Sequence, residues 1–72
     1  MHIKITKSLL LHTQTPGLSN SLEALFPAGE YPALFTPEGM IEVMGQQKLR
    51  AIFSFSQFRE KVSRGEFIVL DA

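Results

Sequence analysis

The chain has 72 residues, 44% of them apolar, with seven basic and seven acidic side chains and no cysteine. One domain spanning residues 1–72 is all this length supports, and such a domain buries only about 60% of the surface its unfolded chain exposes. Without cysteine there is no disulfide framework and no zinc–thiolate staple, while six Phe argue for a packed core rather than disorder.

The longest strictly apolar run, Phe67 to Leu70, has a strand's length and falls far short of the ~18 residues a membrane span needs. No signal-peptide pattern opens the chain, so a cytoplasmic protein is expected. The zero net charge conceals a segregation. Residues 8–47 hold Glu23, Glu30, Glu38 and Glu42 but neither Lys nor Arg, so the cations sit at residues 1–7 and 48–72. Internal pairing is the expected use of such a split, with a local basic patch in the last third as the alternative.

Residues 2–12 alternate, with Ile3, Ile5, Leu9 and Leu11 on one side and His2, Lys4, Thr6, Ser8, Leu10 and His12 on the other. Period two predicts one half-buried strand, which Lys7 interrupts. Residues 13–30 read as a long connection. Pro16-Gly17 signals a turn, and Asn20 with Glu23 has capping-box spacing, predicting a helical turn over Ser21 to Phe26 that ends at Pro27 and Gly29.

Thr36-Pro37-Glu38-Gly39 fits a type I turn with a glycine bulge, pairing Phe35 with Ile41, Leu34 with Glu42 and Ala33 with Val43. Taking Gly45-Gln46-Gln47 as the next loop sets Glu42 opposite Arg50 and Met40 opposite Ile52. These registers place Tyr31, Ala33, Phe35, Ile41, Val43, Leu49, Ala51, Phe53 and Phe55 on one face, while the alternative of a two-residue first loop exchanges the faces of Tyr31 to Phe35. Ser54 and Gln57 then form a capping box, with Phe53 and Phe58 as a hydrophobic staple, for a helix ending at Gly65. Phe55, Phe58 and Val62 are expected on its buried side. Residues 66–70 predict a strand covered on both faces or closing the sheet.

The sum is an α+β, mainly β domain: a curled five-stranded antiparallel sheet, one short helix before the last strand and a helical turn in the first long loop. In element order it resembles SH3-like small barrels. The points of likeness are the first strand Ile3–Leu11, a loop carrying Gly17-Leu18, Gly29-Glu30-Tyr31-Pro32 opening a meander, and Ser54–Phe58 as a helical turn. That resemblance implies a binding module. The aromatic groove of proline-peptide binders has no counterpart in a chain with no Trp and one Tyr.

Little here points to catalysis or cofactors. His2 and His12, ten residues apart on one extended strand, would stand roughly 33 Å from each other, too far to share a metal. Glu38 and Glu42, or Glu60 and Glu66, are not placed for acid–base work, since Glu42 has Arg50 and Glu60 has Arg64. Neither GxGxxG nor GxxxxGK[ST] occurs, so no phosphate-cradling loop is recognisable. A non-enzyme without cofactor or metal is expected.

The outer face of the meander carries Leu34, Met40, Met44 and Ile52 around Glu42 and Arg50, where a half-solvated strand face should be mostly polar. These six residues are the expected partner-binding site, unless the helix covers them or a second copy pairs there. A small chain without chemistry is of the kind found as inhibitors or adaptors in phages and other mobile elements. The alternative is a DNA- or RNA-binding regulator using Lys48, Arg59, Lys61 and Arg64. Thr36-Pro37-Glu38 also reads as a helix start, and Ser54–Phe67 resembles the recognition helix of excisionase-type winged helix-turn-helix proteins. Gly39 and Gly45 inside that first helix would each cost about 1 kcal/mol.

Overall fold

A computed structural model describes residues 1–14, 22–46 and 49–71, without the side chains of Gln14 and Leu22. The elements are β1 (His2–Ile5), β2 (Leu9–Gln14), β3 (Leu22–Phe26), β4 (Gly29–Phe35), β5 (Met40–Met44), β6 (Arg50–Ser54), α1 (Phe55–Ser63) and β7 (Phe67–Val69). The seven strands form one open antiparallel sheet in the order β3-β2-β6-β5-β4-β1-β7.

The expected five strands and helical turn are therefore corrected to seven strands in an open sheet, for two local reasons. The first predicted strand breaks at residues 6–8, where Thr6 donates its N–H to the Glu66 carbonyl and its hydroxyl to Gly65, and Lys7 reaches Glu66. Its halves join different neighbours, β1 lying between β4 and β7 and β2 between β3 and β6. Residues 22–26 are strand rather than helix. Six residues of helix rarely outweigh the cost of nucleation, whereas β3 gains a five-residue ladder on β2, from Leu9↔Phe26 to Thr13↔Leu22. Asn20, Ser21 and the Pro16-Gly17-Leu18 stretch lie outside the described residues.

β1 and β2 flank the meander on opposite sides, about 19 Å apart if the sheet were flat, yet four chain steps span at most about 14 Å. The sheet must bend around its inner face. That face holds the core: Ile3, Ile5, Leu11, Phe26, Ala33, Ile41, Val43, Ala51 and Phe53, joined by Phe58 of α1 and Phe67 of β7. Phe67 packs edge-on to Phe53 at 5.5 Å and tilted against Phe58 at 5.6 Å, so the two staple residues meet a common ring.

The first hairpin has its expected register, with Gly39 at φ 82°, its N–H on the Thr36 carbonyl and the Thr36 N–H on the Met40 carbonyl. That phase makes Pro32 the next residue due to donate toward β5, and the ladder stops at Ala33, where no donor is available to extend it. The second hairpin is shifted by two residues from expectation: Glu42 faces Ile52, and Met44 faces Arg50. Gly45 is not the turn glycine. Its N–H still pairs with the Leu49 carbonyl, and a Cβ there would stand 2.7 Å from the Phe26 ring. Because side chains alternate with period two, this even shift leaves every face assignment intact.

The helix begins and ends as its sequence predicts. The Ser54 hydroxyl accepts from the Gln57 N–H at 3.1 Å, and the Gln57 side chain accepts from the Ser54 N–H at 2.9 Å. Gly65 at φ 76° closes the helix, with the Glu66 N–H donating to Lys61 and the Gly65 N–H to Val62. Phe55 and Val62, expected to be buried with Phe58, are exposed, as is Phe35. β7 is an edge rather than a covered strand: Phe67 is buried, while Ile68 and Val69 are exposed. No described helix is long and apolar enough to cross a membrane.

Candidate partner-binding site

The turn at Thr36–Gly39 and the strands β4, β5 and β6 together frame a shallow groove on the outer face of the sheet. Its volume is about 360 Å³, and Leu34, Met40, Glu42, Arg50 and Ile52 line it beside the turn. Five of the six predicted partner-site residues therefore come together. Met44 points from the same face but lines a separate hollow with Tyr31, Pro32 and Gly45. There the Tyr31 hydroxyl donates to the Pro27 carbonyl at 2.6 Å, and burial raises its pKa above the ordinary value.

Electrostatics inside the groove centre on one pair. Arg50 Nη1 lies 3.2 Å from Glu42 Oε1, reached diagonally across the ladder rather than directly as the expected register had it. The Glu42 side chain is 13% exposed and Arg50 35%, so solvent screens this pair less than the surface pair Glu60–Arg64. Arg50 Nε is enclosed without a hydrogen-bond partner, leaving one donor of a fixed guanidinium fork unused. No residue of α1 lines the groove. The helix instead buries Phe58 into the core, and Leu34 remains 45% exposed.

The described residues of the nucleic-acid alternative fall in two places. Arg59 lies 6.0 Å over the Phe55 ring and lines a cleft with Met1, Phe35 and Val69. Lys61 and Arg64 line another, across from β2. Lys48 lies outside the described residues. Thr36-Pro37-Glu38 opens a hairpin turn rather than a helix, so α1 has no preceding helix partner among the described residues.

His12 is exposed on β2, whereas His2 and Asp71 pair across β1 and the chain after β7. Among the described residues no group of three or more His, Asp or Glu is arranged to hold a metal ion. The sequence reading missed one apolar surface, the cross-strand pair Leu10 and Leu25, 64% and 59% exposed. The alternation of residues 2–12 had already put Leu10 on the outer side. Only the pairing of β2 with β3 brings Leu25 beside it. No family model, curated protein or solved structure matches this chain.

Proposed function

We propose that this protein works by binding rather than by catalysis, and that its ligand is a protein held in the groove of Leu34, Met40, Glu42, Arg50 and Ile52, with the chain acting as an inhibitor or adaptor. The observation that carries this reading is the apolar groove, free of α1, built around a half-enclosed ion pair. Apolar side chains supply contact area, and Met adapts to irregular partners. The Glu42–Arg50 pair supplies orientation, because a partner that covers the 35% of the Arg50 side chain still open to solvent must supply acceptors in place of water.

The experiment is a tagged pull-down from host lysate with the full chain as bait, with and without nuclease. A discrete protein band should survive nuclease and disappear with Leu34→Glu, a change at a 45% exposed position that leaves the far-UV CD spectrum intact. Met40→Glu and Ile52→Glu should act alike. A band retained by folded Leu34→Glu overturns the reading. Bands lost to nuclease, and to Arg59→Ala with Arg64→Ala, move the function to nucleic acid.

A further inference from the structure

The sheet is joined most weakly between β2 and β6. Among the described residues, β2 is paired with β3 from Leu9 to Thr13, but with β6 only at Thr13↔Ala51 and Gln14↔Arg50. Beyond that point the strands diverge, and a cleft of about 410 Å³ opens with Leu10 and His12 on one lip and Ile52 on the other. The phase of the β5–β6 ladder, set by the Gly45 N–H on the Leu49 carbonyl, directs the backbone groups of Arg50 and Ile52 away from β5 and toward β2. The same alternation on β2 turns the backbone groups of Leu10 and His12 toward β6, where neither has a strand partner. A strand edge in a cleft of this size calls for another extended backbone, which satisfies alternate donors and acceptors as no globular surface does.

The far wall is one stripe of α1. Gln57, Glu60, Lys61 and Arg64 all line the cleft at i, i+3, i+4 and i+7. The charge on and beside this wall is unbalanced: Lys61 of the wall shares Glu66 with Lys7, at 3.3 and 3.9 Å, while Arg64 holds Glu60 at 2.7 Å. Three cations thus divide two carboxylates, and the Lys61–Glu66 contact is not aligned as a hydrogen bond. A further carboxylate would complete the set.

We infer that this cleft takes an extended peptide segment of a partner, paired with Leu10 and His12, with an apolar side chain against Leu10 and Ile52 and an Asp or Glu on Lys61 and Arg64. This is a second site, on the opposite flank of Ile52 from the groove proposed above, and it does not depend on that groove. The probe is a random library of linear peptides of about twelve residues, long enough to supply one strand, panned against the full chain. Selected sequences should converge on apolar residues alternating with Asp or Glu.

The best of them, made synthetically, should slow amide exchange at residues 9–12. It should bind about tenfold more weakly to Lys61→Gln/Arg64→Gln, as expected for a lost charge-assisted hydrogen bond. Binding to Leu34→Glu should be unchanged, which keeps this site's outcome separate from that of the groove. Failure to select any peptide, full binding by the double variant, or amide protection at residues 34–42 instead of 9–12 would each overturn the inference.

Discussion

Gly45→Ala tests the packing of β3 against the end of β5. The added methyl would sit 2.7 Å from Cε2 and 2.8 Å from Cζ of Phe26. Carbon contacts are comfortable at ~3.5–4.0 Å, so the ring must retreat by about 0.8 Å or more. Phe26 has nowhere easy to go: it is 2% exposed, and Tyr31 stands against it at 5.5 Å. Tyr31 is itself held by its bond to Pro27. Overpacking of this kind costs about 1–3 kcal/mol. Restricting the unfolded chain returns about 0.4–1 kcal/mol, since the Gly45 backbone is outside the left-handed region. The middle of these ranges leaves a net loss of about 1.3 kcal/mol, which lowers Tm by about 5–10 °C in a domain of this size. Thermal unfolding followed by CD measures it. Phe26→Leu removes the clashing ring edge, so the double variant should lose less than the two single losses added together. An unchanged or raised Tm for Gly45→Ala, or strict additivity with Phe26→Leu, would return Gly45 to the role of an ordinary loop residue.

Ser54→Ala removes the hydroxyl that caps α1 and should cost ~1 kcal/mol, read as a lower Tm with the helical CD signal reduced first; no loss of stability would mean that Gln57 alone holds the helix start. Asp71 accepts a hydrogen bond from the His2 N–H and faces His2 Nδ1 at 3.4 Å, and these contacts, the backbone one foremost, hold its carboxyl below the ordinary 3.8. A carboxyl depressed on folding contributes stability that is present above its unfolded value and lost as pH falls through the lower folded one. NMR titration should therefore place the Asp71 midpoint below 3.8; protection of β1 and β7 should fall with pH through that midpoint, and Asp71→Asn should abolish this dependence. A midpoint at or above the ordinary value would refute the contact.

What the sequence determined by itself is local or periodic. The Thr36–Gly39 turn, the Ser54–Gln57 capping box and the Gly65 helix end each depend on a few adjacent residues whose hydrogen bonds close within one turn. The groove was legible for a related reason. Leu34, Met40, Glu42, Arg50 and Ile52 share a face under any even register, so an error of two residues at Gly45 did not scatter them.

Tertiary structure alone decided the rest, because it turned on competition between distant segments. Residues 22–26 became a strand because β2 offered a ladder that the isolated segment cannot know of. Gly45 serves Phe26, 19 positions before it in the chain, rather than the turn beside it. Phe35 and Phe55 continue the inner alternation yet stand exposed, since periodicity assigns a face but not how far the core extends along it. The split between β2 and β6 leaves no trace in composition or period. It exists because residues 2–14 must bend at Thr6 to border the meander on both sides, and the second half then follows β6 for only two residues.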